Sequence, residues 1–265
     1  TLYPSGFIFH MSRCGSTLLA KAMARVPEHI VIDEGTPLND GLWHYFTNGW
    51  QSPVAMSQEN FTLFRNMVLA LGRRRTAEQQ TYFVKLRSWN VIFIDFIMRA
   101  FPDVPCLFMY REPEEVLVSG LMRPVWIMDF KGLPQGGFLT GTSPEVTAAM
   151  STLDYMTLFY ERYLQAALSI NADRLQYLNY EDIKVQNLAS ILQRSFQYTI
   201  TPAMLTQMAV QFTYYSKDDS DTIRFSSDRE EKQGAVTEEI RQAVARELAR
   251  CYQELNQSPH NLYHE

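Results

Sequence analysis

Phe7-Ile8-Phe9-His10-Met11-Ser12-Arg13-Cys14-Gly15-Ser16-Thr17-Leu18-Leu19 passes from an apolar strand, through a short polar turn, into the opening of a helix. A strand-turn-helix of this composition builds an anion site. The turn's backbone N–H groups and the first unpaired N–H groups of the helix converge where the positive end of the helix dipole lies. Arg13 adds a cation with a planar fork of donors, Gly15 lets the backbone approach closely, and Ser16 and Thr17 bring hydroxyls to the helix start. A phosphate or sulfate ester suits these groups; the plain alternative is a polar turn and N-cap of the kind any α/β protein contains.

The nucleotide-binding pattern G-x-x-x-x-G-K-[ST] fits the run only in part, with His10 at the first Gly and Ser16 at the Lys. That Lys, with its hydroxyl neighbour on Mg²⁺, handles the β and γ phosphates of a triphosphate. A loop without it should take a ligand with fewer phosphates and no required metal.

A second run has the same grammar. Val104-Pro105-Cys106-Leu107-Phe108-Met109-Tyr110 reads as a buried strand, and Arg111-Glu112-Pro113-Glu114-Glu115-Val116-Leu117-Val118-Ser119 as a turn and helix start. Pro113 suits the first helical position, with Glu114 and Glu115 in the first turn. Arg111 then sits at the carboxyl end of a strand. In an open parallel sheet that is where ligands bind, so both runs face one crevice.

Phe9 to Leu19 is similar to the 5′-phosphosulfate loop of sulfotransferases that use 3′-phosphoadenosine 5′-phosphosulfate (PAPS), which commonly reads P-[RK]-S-G-[ST]-T. Tyr110 to Ser119 resembles their 3′-phosphate motif, Y-R-x-P-x-D-x-x-x-S, with Arg111 and Ser119 at the motif's separation. Leu175-Gln176-Tyr177-Leu178-Asn179-Tyr180-Glu181-Asp182-Ile183 resembles the strand and Y-E-D-L turn found late in the family. The three matches occur in the family's order. The resemblance implies a P-loop-like sulfotransferase fold, PAPS as donor, adenosine 3′,5′-bisphosphate as product and no metal. It implies a donor site of Arg13, Cys14, Gly15, Ser16, Thr17, Leu18, Arg111 and Ser119. A late basic loop completes that site in the family. The candidates here are Arg224, Arg229 and Lys232, although the usual R-K-G run is absent.

The chain departs from the pattern at Ser12 for Pro, Cys14 for Ser and Glu115 for Asp. It also lacks the K-T-H run, reading Tyr82-Phe83-Val84-Lys85-Leu86-Arg87-Ser88 instead, so the His that serves many members as general base is missing. Glu34, in Val31-Ile32-Asp33-Glu34-Gly35-Thr36-Pro37 after a short second strand, is the candidate base. Desolvation in a closed site should raise its pKa toward neutrality. Its alternative role is to end the turn together with Asp33. His44, beside Trp43 and Tyr45, is a second candidate whose alternative is packing. Lys85 is placed to assist the sulfate or simply to reach solvent. Arg13, with the loop amides, meets the charge that grows on the leaving oxygen.

The 265 residues, 46% hydrophobic, suffice for one α/β domain with a parallel sheet flanked by helices on both faces. Helical periodicity runs over residues 17–26, 62–71, 91–100, 151–170 and 237–255, while 123–143, rich in Gly and Pro among bulky apolar residues, reads as a long loop or lid. A net charge of −5 argues against a nucleic-acid partner, and Arg73-Arg74-Arg75 reads as a solvated helix end. Three cysteines without tight spacing point to a reducing, cytoplasmic setting, and no Cys or His cluster has metal-ligand spacing. Cys14 lies where a thiol pKa falls; it reads as a small turn residue or, with His10, as a nucleophile. No apolar run is long enough to span a bilayer, and the absence of an initiating Met is read as trimming from a longer chain. The aromatic and Met content of residues 42–50 and 122–138 favours a partly apolar small-molecule acceptor bearing a hydroxyl or amine. The alternatives are a P-loop kinase, against which the missing Lys and the lack of a metal-binding Asp after the third strand both count, and a silent nucleotide- or partner-binding module.

Overall fold

The computed structural model describes residues 1–39, 41–123, 125–214, 222–224 and 229–264, with side chains for all of these except 41 and 229–231. Five strands, β1 (Gly6–His10), β2 (His29–Asp33), β3 (Thr81–Lys85), β4 (Cys106–Tyr110) and β5 (Leu175–Asn179), form one parallel sheet in the order β2-β3-β1-β4-β5. The unbroken apolar runs Phe7-Ile8-Phe9 and Cys106-Leu107-Phe108-Met109 are buried on both sides, as a doubly covered parallel sheet requires. Alternation decides what each residue meets. Gly6 and Phe83, paired in register, face Phe196 of the helix Leu188–Phe196, whereas Phe7 packs on Phe101 and Tyr82 donates its hydroxyl to Val68 O in the helix Gln58–Leu71. Each such apolar side chain contributes on the order of 1.5–3 kcal/mol by burial. Helices therefore lie on both faces. At the outer edge of β5, Tyr177 N–H donates to His260 O and Tyr177 O accepts from Leu262 N–H, so the chain's last residues shield that edge.

The connection leaving β1 runs toward β3 and β2, and the one leaving β3 crosses back to β4. The carboxyl end of β1 thus lies where the connections part, the usual ligand position in an open sheet.

Several elements differ from their sequence reading. The first helix is Ser16–Ala24 rather than 17–26, since Pro27 biases Val26 away from helical backbone. Residues 91–100 divide into a 3₁₀ turn, Ser88–Phe93, and the helix Ile94–Ala100. The 237–255 stripe is interrupted by a π-helical turn at Val244–Leu248. The segment 123–143, read as irregular, holds a 3₁₀ turn at Trp126–Phe130 and a helix at Pro134–Thr140 that starts on Pro134 and stops on left-handed Gly141. Pro134 and Gly141 bound this short helix, while Gly136 and Gly137 lie within it. Among the described residues no helix is long and apolar enough to cross a membrane.

Candidate active site

All five strands end at one edge, and the residues that follow them make the site: Met11–Gly15 after β1, Glu34 after β2, Leu86 to Ser88 after β3, Arg111 after β4 and Tyr180 after β5. Met11 N–H donates to Met109 O and Leu86 N–H to Ile8 O, each at 3.0 Å, which ties the starts of these loops to the sheet.

In the first loop Arg13 and Gly15 are both left-handed, with φ of 62° and 77°. Such residues bend the backbone into anion-binding concavities, and a non-glycine residue held there marks a constrained site. Gly15 caps the helix Ser16–Ala24 without a side-chain hydrogen bond, so the first-turn N–H groups of Ser16, Thr17 and Leu18 have no intrahelical acceptor. Arg13 donates through Nη2 to Arg123 O at 2.8 Å, and its Nε is buried without a partner. Buried Cys14 donates its thiol to Met11 O, which pins the turn and fits the small-residue reading of that position.

The second and third motifs close on this loop. Arg111 donates through Nη1 to Arg13 O at 3.4 Å, its guanidinium carbon stands 4.0 Å from the centre of the Tyr180 ring, and a Cβ on Gly15 would lie 2.7 Å from Tyr180 Cδ2. Three segments far apart in the chain therefore meet at one point. Arg111 is also gripped by Glu115, through Nε at 2.6 Å and through Nη2, and both side chains are buried.

A charge cluster occupies the β2–β3–β1 side of the crevice. Lys85, for which the strand end allowed either a role on the sulfate or a reach to solvent, is 1% exposed; its Nζ donates at 2.6 Å to both Asp33 Oδ1 and Glu34 Oε1. His10 Nε2 lies 3.6 Å from the same Glu34 oxygen, and Arg87 Nε is 3.8 Å from Glu34 Oε2. Glu34 itself is left-handed, with φ 55°. Its protonation corrects the expectation from sequence. Desolvation pushes its pKa up, but the nearby His10 ring and the Lys85 ammonium outweigh it and hold the carboxyl down at about 2.

The whole-chain comparison then decides the fold. The sulfotransferase domain from the curacin biosynthetic pathway superposes with a TM-score of 0.55 over 96% of this chain and 98% of its own, at 13% sequence identity. The chain has a sulfotransferase fold. Two other sulfotransferases align more loosely: one from Mycobacterium tuberculosis H37Rv (14% identity, TM-score 0.42, 79% of this chain and 71% of that one) and one from Alicyclobacillus acidocaldarius (14%, 0.44, 95% and 97%). No protein-family model and no curated protein sequence matches the chain.

Within this sulfotransferase fold the remaining candidates are dispersed. Ser119 is buried two turns into the helix Pro113–Met122, against which the helix Arg229–Gly234 packs with buried Lys232. Arg224 is exposed and forms a bridge with Tyr214; the side chain of Arg229 lies outside the described residues. His44 is exposed on the helix Gly41–Phe46, and no contact joins it to Glu34, Lys85 or Arg13 among the described residues. The aromatics that suggested an apolar acceptor are committed largely to one another: Trp43 stacks on Phe93 at 4.0 Å, and Trp50 packs on Trp89 and Phe138. Sequence reasoning missed Asp33, Arg87 and the role of His10. The Asp33-Glu34 doublet ending one strand and the alternating Lys85 and Arg87 ending another were the available signal.

Proposed function

We propose that the chain transfers a sulfuryl group from PAPS to a hydroxyl or amine of a small-molecule acceptor. The observation that carries this reading is the meeting of Gly15, Arg111 and Tyr180 beside a helix N-terminus that has no side-chain cap. The donor set fits the donor's anions: open N–H groups of Ser16, Thr17 and Leu18, the unpartnered Arg13 Nε, and the fork of Arg111. Bound PAPS would supply the electrophilic sulfuryl group and, in adenosine 3′,5′-bisphosphate, its leaving group. Arg13 and the first-turn amides would hold the phosphosulfate end and neutralise charge on the departing oxygen. Arg111 and Ser119 would hold the 3′-phosphate, with Glu115 sharing or yielding Arg111, and Lys232 on the neighbouring helix adding positive charge.

Glu34 would take the acceptor's proton. At a pKa of about 2 it is a weak base, so the reading requires that negative charge entering beside Lys85 and His10 raise it. Lys85 is bound to Oε1, so the proton would pass to Oε2, beside which Arg87 Nε stands at 3.8 Å.

Calorimetry with adenosine 3′,5′-bisphosphate and with Mg-ATP, followed by turnover of PAPS against an acceptor panel, tests the reading. Metal-independent bisphosphate binding with sulfated product supports it. Preference for Mg-ATP supports a kinase, and bisphosphate binding without turnover leaves a binding module.

A further inference from the structure

Both ring nitrogens of His10 face backbone carbonyls: Nδ1 lies 3.0 Å from Met11 O and Nε2 2.9 Å from Leu86 O. A neutral imidazole has one N–H and one lone pair, so either tautomer would set a lone pair against a carbonyl oxygen in a buried site. Only the doubly protonated ring satisfies both contacts. The Glu34 carboxylate, 3.6 Å from Nε2, offsets the buried charge that results.

We propose that His10 is a positioning residue, a standing imidazolium that ties the start of the anion loop to the end of β3 and, with Lys85, fixes Oε1 of Glu34 and so holds Oε2 on the side of Arg87.

The groups facing it are Glu34 from the end of β2, Lys85 from β3 and Cys14 from the loop, with Arg87 beyond Glu34. Burial and the Lys85 charge oppose protonation. The neighbouring Cys14 sulfur and the Glu34 carboxylate, 3.6 Å from Nε2, overcome them, and the His10 pKa stands at about 9. The geometry explains why His occupies a position where a triphosphate-binding loop has Gly: it adds a cation and two donors beneath the turn. Two cations, Lys85 and His10, then converge on one carboxylate oxygen. Loss of His10 should leave Glu34 held by Lys85 alone on that oxygen and free its side chain to rotate.

The catalytic consequence rests on Glu34 being the base in the proposed reaction, but the test does not depend on turnover. Nitrogen NMR of the intact protein labelled in its five histidines reports His10, assigned by the signal lost in His10→Gln. The expected result is two protonated ring nitrogens at pH 7.5; a single neutral tautomer at that pH overturns the proposal. Carbon NMR of labelled glutamate carboxyls then follows Glu34, assigned by Glu34→Gln. In His10→Gln its midpoint should rise by about one pH unit, the scale of one lost charge partner. An unchanged midpoint in the folded variant also overturns it. If His10→Gln does not fold, the histidine spectrum of the unaltered protein still decides. Absence of sulfated product with both spectroscopic results intact would count against the sulfotransferase reaction and leave the His10 assignment standing.

Discussion

Gly15→Ala perturbs the point at which the three motifs meet. Gly15 holds φ 77°, and a residue with a Cβ in the left-handed region costs about 1–2 kcal/mol. The new Cβ would stand 2.7 Å from Tyr180 Cδ2 and 2.9 Å from Ile183 Cδ1, where ordinary contact begins at 3.4 Å. The Tyr180 ring must withdraw, and it lies 4.0 Å from the Arg111 guanidinium carbon, so a cation–π contact of about 0.5–2 kcal/mol weakens with it. A stiffer unfolded chain returns about 0.4–1 kcal/mol. The expected net loss is about 1–3 kcal/mol of stability, read by urea unfolding at constant m. Bisphosphate affinity should fall in the same variant, because Arg111 loses its platform. The mechanism is isolated by the double variant Gly15→Ala/Tyr180→Ala, in which the ring that collides is gone. Its cost should be smaller than the sum of the single costs by about 1 kcal/mol or more. Strict additivity would refute the collision, and with it the claim that Tyr180 braces both loops.

Arg111→Ala should weaken adenosine 3′,5′-bisphosphate binding by about 1.5–3 kcal/mol in calorimetry, the scale of a hydrogen bond to a charged group; unchanged affinity removes Arg111 from the site. Glu34→Gln should lower turnover about 10²–10⁴-fold in a steady-state assay while bisphosphate affinity holds, and normal turnover would assign the proton to another group. Stability against pH follows from the two shifted groups. Glu34, lowered from 4.5 to about 2, contributes fully above pH 4.5 and loses its contribution as pH falls through about 2. His10, raised from 6.5 to about 9, contributes fully below pH 6.5 and loses its contribution as pH rises through about 9. Urea midpoints should therefore fall on both sides of the interval from pH 4.5 to 6.5, and Glu34→Gln should flatten both limbs because the pair shares one interaction. Limbs unchanged in that variant would mean that other groups set the profile.

The sheet and the strand-turn-helix that follows β1 were legible in the chain because their causes are local. An unbroken Phe7-Ile8-Phe9 run fits a strand buried on both faces, Gly15 fits a left-handed cap, and Pro113 with Glu114 and Glu115 starts a helix after β4. The motif order Arg13, Arg111, Tyr180 also implied a shared edge, since parallel strands all end on the same side. Local grammar failed where packing chose between meanings. Residues 134–141 carry a Pro and a Gly that bound a short helix where an irregular segment was expected, and Trp43 and Trp50 are packed against other aromatics. Electrostatics was least legible of all. The sign of the Glu34 shift depends on Lys85 and His10, which lie 51 and 24 residues away along the chain and at 2.6 and 3.6 Å in space. The sequence by itself determined which groups end the strands. Only the tertiary structure decided that burial, which raises a carboxyl pKa, would lose to two cations brought within reach by the order β2-β3-β1.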